Sequence, residues 1–234
     1  MTKAPQTQLI VALDVETDRQ AYDLVDRIGD NVLWYKVGKQ LFTRFGPDVV
    51  RELKKRGRRV FLDLKYHDIP NTVREAVRSA AAIGADLANV HASGGPAMLR
   101  AAAEAADETG ILVVAVTVLT SMDETELRAV GIDEAPLSRV VRLASLTREC
   151  GLGGVVCSAL EIAAIQHACG PEFQLVVPGI RPAGTDKGDQ KRVMTPGDAA
   201  RAGAQFIVVG RPIRAADDPS AAARAILDEM ASAR

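Results

Sequence analysis

The chain has 234 residues, 47% of them hydrophobic and 25% charged, with a net charge of -1. That composition describes a globular protein able to bury a full core, and the length suits one α/β barrel, a fold that routinely takes about 200 to 250 residues as a single domain. No overall basic field is available to gather nucleic acid, so an anionic ligand must be held by local groups, and no apolar run is long enough to span a membrane.

The polar start, Met1 to Gln8, lacks the pattern of a signal peptide and runs into an apolar strand, Leu9 to Val15, that contains Asp14 near its end. Thr17-x-x-Gln20 then forms a capping box for a helix with Ala21, Leu24, Val25 and Ile28 on one face. The unit repeats. Val32 to Gly38 is a second strand carrying Lys36, and the stripe from Leu41 to Leu53 is a helix closed by Gly57. The third strand, Arg59 to Lys65, bears Asp63 and Lys65; two residues apart, they are expected to share one face, with Leu62 and Leu64 packed outward under helices. Asp68 follows in the loop, and a helix begins at Asn71.

Strands four and five are Leu87 to Ala92 and Ile111 to Leu119; strands six to eight are Gly154 to Ser158, Leu175 to Ile180 and Phe206 to Gly210. Helical patterns lie between them, among them Ala97 to Ala106, Ala135 to Cys150 and Ser220 to Ala233, with a cap at Asp123-x-x-Glu126. Eight short apolar strands alternating with helices predict a single-domain α/β fold, a parallel (β/α)8 TIM barrel covering residues 1–234. No Gly-x-Gly-x-x-Gly follows the first strand, which counts against a dinucleotide fold. The connection from Arg181 to Gly197 is seventeen residues long, beyond the roughly 12 to 15 at which an unstructured loop becomes a functional candidate. Its glycines, Gly184 and Gly188, suit a phosphate-binding lid, and Thr195-Pro196 starts the next helix. The three cysteines, Cys150, Cys157 and Cys169, have no metal or redox spacing and fit a reducing cytoplasm.

In such barrels the chemistry sits at the carboxyl ends of the strands, and phosphate is commonly held after strands seven and eight. Asp14, Lys36, Asp63, Lys65 and the pair Thr120-Ser121 would all line that mouth; Arg181 and Gly210-Arg211 stand where a phosphate is expected. Two lysines among up to three carboxylates, with no histidine pair or cysteine nucleophile, point to charge stabilisation and proton delivery. Lys65 between Asp63 and Asp68 argues against a metal, since its ammonium already supplies the positive charge, and flanking carboxylates disfavour a Schiff base by keeping that ammonium protonated. An Asp-x-Lys pair taken alone is equally compatible with a salt bridge tying down a strand end. His91 is expected as a core or mouth histidine, and His67 and His167 are given no role.

Leu13-Asp14, Tyr35-Lys36-Val37-Gly38, the run Phe61-Leu62-Asp63-Leu64-Lys65-Tyr66-His67-Asp68-Ile69-Pro70-Asn71-Thr72, Val116 to Ser121, Pro178-Gly179-Ile180-Arg181, Asp189-Gln190 and Val209-Gly210-Arg211-Pro212-Ile213 together resemble the bacterial orotidine 5'-phosphate decarboxylase family, in order from first strand to last. The resemblance implies decarboxylation of orotidine 5'-phosphate to uridine 5'-phosphate and CO2, the last step of UMP synthesis, with no metal and no organic cofactor. It implies a charged tetrad of Lys36, Asp63, Lys65 and Asp68, with Lys65 the proton donor, and a homodimer in which Asp68, Ile69 and Thr72 reach the partner's site. It further implies ribose contacts from Asp14, Lys36 and Thr72, base contacts from Thr120 and Ser121, and phosphate contacts from Arg181, Gln190, Gly210 and Arg211, Gln190 bridging phosphate and base. The rivals are a magnesium-dependent phosphosugar decarboxylase or synthase of the same barrel group, and a non-catalytic binder of nucleotide monophosphates.

Overall fold

The structure is a computed structural model and describes residues 7–182 and 194–233. Along the chain run β1 (Gln8–Ala12), α1 (Asp18–Ile28), β2 (Trp34–Gly38), α2 (Lys39–Phe45), α3 (Asp48–Lys55), β3 (Arg59–Tyr66), α4 (Pro70–Ala82), β4 (Leu87–His91), α5 (Gly95–Thr109) and β5 (Leu112–Val116). They are followed by α6 (Glu124–Ala129), α7 (Pro136–Glu149), β6 (Gly154–Val156), α8 (Ile162–Cys169), β7 (Gln174–Val177), α9 (Pro196–Arg201), β8 (Phe206–Val209), α10 (Arg211–Arg214) and α11 (Pro219–Ser232). Each strand pairs in parallel with the next, and β8 closes on β1, so the sheet is the expected eight-stranded barrel.

Period-two alternation divides the apolar residues into two layers. Ile10, Trp34, Phe61, Leu87, Val114, Val176 and Phe206 fill the barrel interior. Leu9, Val11, Tyr35, Val37, Val60 and Leu62 point out and pack beneath the helices, with Leu64 partly buried against the same layer. Strands buried on both faces have no polar face, which is why they read as apolar runs. The helix starts follow local chemistry. Thr17 and Asp123 each make a full capping box, and Thr195 caps α9 with Pro196 at its first position.

Three expectations require correction. The stripe from Leu41 to Leu53 is two helices, because Gly46 takes a φ of +64° and ends α2, and Pro47, which lacks an N–H, precedes α3. Strict alternation also fails near the end of β3. The β3–β4 pairing passes from Leu62 opposite Ala88 to Tyr66 opposite Val90, and Lys65 sits at φ +56°, the sole non-glycine with positive φ among the described residues. The third strand therefore ends in a bulge. Several apolar runs also outlast their strands: β1 ends at Ala12 and β5 at Val116, leaving Leu13 to Val15 and Thr117 to Leu119 to shape the mouth.

Candidate active site

At the carboxyl end of the barrel four side chains form a connected line of alternating charge. Asp14, two residues past β1, accepts a hydrogen bond from the Lys36 ammonium through Oδ1 at 2.9 Å. Lys36, from the interior face of β2, also lies 3.4 Å from Asp63 Oδ2. Asp63 stands on β3 one interior position beyond Phe61, and its Oδ1 accepts from Lys65 Nζ at 2.5 Å. Gly38 leaves room for this arrangement: a Cβ there would lie 2.9 Å from Lys36 Nζ and 3.2 Å from Asp14 Oδ1.

The charges hold one another in the ionised form. Burial works against the Lys36 ammonium, but Asp63 and Asp14 outweigh it and its pKa lies above the ordinary lysine value. Burial likewise works against the Asp63 carboxylate, and Lys36, Lys65 and the hydrogen bonds from Lys65 and Asn89 more than offset it, so its pKa lies below the usual carboxylate range. Both lysine contacts fall on one carboxylate, one to each oxygen. An isolated surface pair would be worth little, but here the carboxylate is 13% exposed and Lys36 only 11%.

Beneath this line lies a cavity of about 170 Å³ lined by Lys36, Asp63 and Lys65 on one side, Thr120 and Pro178 on another, and Phe61 below. Its remaining wall is apolar, from residues such as Val116, Val156 and Val176. The two ammonium groups and the Asp63 carboxylate thus face a partly open space whose remaining wall is largely hydrocarbon, where electrostatic interactions are stronger than in water. A larger hollow of about 700 Å³ runs along α1 and shares only Asp14 with the line of charges; its lining, including Glu16, Asp23, Arg27 and Arg214, belongs to the outer surface.

Other expected residues occupy the same end of the barrel. Ser121 lies on the exposed turn beyond Thr120. Arg181 is half-buried after β7; its Nη1 donates to the Ile180 carbonyl at 3.0 Å, and its backbone N–H donates to the Met194 carbonyl at 3.0 Å. With the Ile180–Met194 bridge, this ties together the two ends of the long connection. Gln190, Gly184, Gly188 and the rest of the expected lid from 183 to 193 lie outside the described residues. Gly210 follows β8 beside β1, its hypothetical Cβ 3.5 Å from Ala12 Cβ and 3.9 Å from Asp14 Oδ2, and Arg211 begins α10 with an exposed side chain.

Asp68 stands apart. It is exposed, its Oδ1 accepts the Ile69 N–H at 2.7 Å, and Ile69 itself is 67% exposed, with Thr72 exposed on the first turn of α4. His91 is half-buried at the end of β4 with its ring 5.6 Å from that of His67; burial first, and then its neighbours His67, Lys65 and Lys39, depress its pKa. The site also contains a residue the sequence reading passed over. Asn89, 1% exposed on the interior face of β4, donates from Nδ2 to Asp63 Oδ1 at 2.8 Å and accepts the Lys65 backbone N–H through Oδ1 at 2.8 Å. The signal was available, since an amide in the middle of the apolar strand Leu87-Ala88-Asn89-Val90 must find partners.

A closed parallel barrel with paired lysines and carboxylates at its carboxyl mouth, beside a cavity with a largely apolar wall, is the architecture of a (β/α)8 enzyme. The family model described as orotidine 5'-phosphate decarboxylase / HUMPS matches residues 7–226, and the chain belongs to that family. It is 52% identical over 228 residues to the orotidine 5'-phosphate decarboxylase of Vibrio campbellii, covering 96% of this chain and 98% of the relative. To that of Moorella thermoacetica it is 54% identical over 231 residues, covering 95% and 92%. Among solved structures, the orotidine 5'-phosphate decarboxylase of Lactobacillus acidophilus superposes with a TM-score of 0.85 at 36% identity, covering 97% of this chain and 99% of that one. An uncharacterized conserved protein from Geobacillus kaustophilus gives 0.84 at 38% identity, covering 95% and 99%.

Proposed function

We propose that this enzyme converts orotidine 5'-phosphate to uridine 5'-phosphate and CO2 with neither metal nor organic cofactor, Lys65 delivering the proton to C6 of the pyrimidine. The overall reaction follows from family membership and from about 52% identity to decarboxylases over nearly the whole chain. The observation that carries the mechanism is the Lys36–Asp63–Lys65 line facing a cavity with a largely apolar wall. Loss of CO2 leaves an electron pair on C6 that no adjacent carbonyl delocalises well. The site must therefore stabilise that charge electrostatically and then protonate the carbon, and the Lys65 ammonium can do both. Asp63, fixed by contacts on both oxygens, lies near the departing carboxylate and orients the two lysines.

The remaining residues divide by position. Asp14 and Lys36 take the ribose hydroxyls, Thr120 and Ser121 the pyrimidine edge, and Arg181, Gly210 and Arg211 the phosphate, with Gln190 of the 181–197 lid bridging phosphate and base. Binding energy gained at the phosphate is spent on orienting the reacting ring. Asp68, Ile69 and Thr72 act in the site of a second subunit. Their exposure in the single chain, together with exposed Leu119 and Val130 at the same end of the barrel, supports a homodimer that covers them. A cytoplasmic location accords with three buried cysteines that form no disulfide, and among the described residues no helix is long and apolar enough to cross a membrane.

The test is the fall in orotidine 5'-phosphate absorbance with purified enzyme in excess EDTA. Turnover unchanged by the chelator is expected. Loss of turnover on chelation, restored by Mg2+, would favour the metal-dependent phosphosugar chemistry of the same barrel group.

A further inference from the structure

We propose that Asn89 is a positioning residue for the decarboxylation: its side-chain amide locks the bulged end of β3 and so holds Lys65 and Asp63 in their reactive arrangement. The proposal rests on the reading of Lys65 and Asp63 given above. It is carried by three independent features of the β3–β4 seam.

The first is the ladder itself. Between Leu62 opposite Ala88 and Tyr66 opposite Val90, three residues of β3 stand against Asn89 alone. The missing backbone partner for the Lys65 N–H is replaced by Asn89 Oδ1 at 2.8 Å. The second is the backbone of Lys65. A φ of +56° on a residue with a long side chain is uphill and persists where the surroundings over-determine it. Released from Asn89, Lys65 can relax toward an extended conformation, which re-aims its side chain away from its present line.

The third is the orientation of the amide. Oδ1 faces a donor and Nδ2 faces the Asp63 carboxylate at 2.8 Å, so turning the amide over would set oxygen against oxygen and N–H against N–H. Asn89 thereby fixes the rotation of Asp63, whose Oδ1 also takes Lys65 Nζ at 2.5 Å and whose Oδ2 faces Lys36 at 3.4 Å. Asn89 does not line the cavity, in contrast to Lys36, Asp63 and Lys65, so it acts through them and not on the substrate.

Two variants test this. Asn89→Leu keeps similar bulk and removes both hydrogen bonds. Asn89→Asp keeps the shape and, when protonated, can accept from the Lys65 N–H while donating its O–H to Asp63. The charged groups it contacts are Asp63 and Lys65 on β3; beyond Asp63 the line continues to Lys36 on β2 and Asp14 past β1, and His91 is the next titratable residue on its own strand. For Asn89→Leu, kcat is expected to fall about 100-fold or more, the scale of a misplaced catalytic group, while the UMP dissociation constant stays within about threefold. A kcat within about threefold of the parent, or a loss of UMP affinity as large as the loss of kcat, would overturn the assignment. If Asn89→Leu does not fold, Asn89→Asp decides. Activity that declines with rising pH, as the proton shared with Asp63 is lost and two carboxylates oppose each other, supports it; a pH profile shaped like the parent's overturns it. Hydrogen exchange of the Lys65 amide separates this inference from the functional reading. Parent protein that fails to turn over orotidine 5'-phosphate would sink that reading, while slow exchange in the parent and about 100-fold faster exchange in Asn89→Leu would still establish the lock; equal exchange rates would refute it.

Discussion

The two ends of the barrel carry the same kind of pair in different settings. At the amino-terminal end Lys54 of α3 donates to both oxygens of Asp86, at 2.8 and 2.7 Å, and Asp86 also accepts the Val60 N–H at 2.8 Å. That lysine and carboxylate clamp a helix to the start of β3, above a floor plugged by Trp34 and Phe206 with the Arg59 guanidinium over the indole. At the carboxyl end Asp63 is shared between two lysines, one of which stands on a left-handed backbone, and the set faces a cavity. Pairing chemistry alone therefore does not separate the roles. What separates them is the strand end, the strained backbone and the adjoining space. Lys54–Asp86 is the strand-end salt bridge that Asp63-Leu64-Lys65 could have been.

The contrast can be broken by removing one group at a time. The largest effect is expected from Lys65→Ala: kcat falls by about 10⁴-fold or more, since in the proposed mechanism one group supplies both electrostatic stabilisation and the proton, while UMP binds within about tenfold of the parent. Near-normal kcat would move Lys65 into the same structural class as Lys54. Next comes Arg211→Ala, which should weaken UMP by roughly 10- to 100-fold through loss of a charge-assisted contact to phosphate. Uridine, which lacks the phosphate, should bind both proteins alike, and a parallel loss of uridine affinity would argue against the phosphate role.

A smaller signal comes from mixing inactive Lys65→Ala and Asp68→Ala subunits. If Asp68 serves the partner's site, each mixed dimer holds one intact site, and random exchange of C2 dimers should recover about a quarter of parental activity. No recovery after verified exchange would return Asp68 to its own subunit. The smallest catalytic effect is expected from Asp86→Ala, with kcat within about twofold of the parent but stability lowered by about 1–3 kcal/mol as the Val60 N–H loses its acceptor, a drop of several degrees in Tm. A large loss of kcat there would erase the distinction between the two ends.

Much of this contrast was legible in the residues. The apolar runs disclosed eight strands because a parallel sheet is buried on both faces, and the charged residues near their ends marked the mouth. Strand ends were less legible: Leu13, Val15, Thr117 and Val118 are buried beyond the ladder, and an apolar run does not distinguish a strand from a buried mouth loop. The Gly46-Pro47 break was visible but was overridden by the continuous stripe across it. Asp63 and Lys65 were placed together by an alternation that the bulge interrupts, so the pair was right and its geometry was not. Nothing in a lysine announces a positive φ; the acceptor that holds its N–H there lies 24 residues away at Asn89, which only the fold brings alongside.

The central claim, that an ammonium at position 65 does the chemistry, is tested most directly by taking it away and putting it back. Lys65→Cys should be inactive, and alkylation with 2-bromoethylamine rebuilds an ammonium of nearly the same reach, the native Cys150, Cys157 and Cys169 being buried. The account predicts that turnover of orotidine 5'-phosphate rises by about 100-fold or more over the unmodified variant, the scale of a restored general acid. Stoichiometric alkylation of residue 65 with no rise in turnover would contradict it.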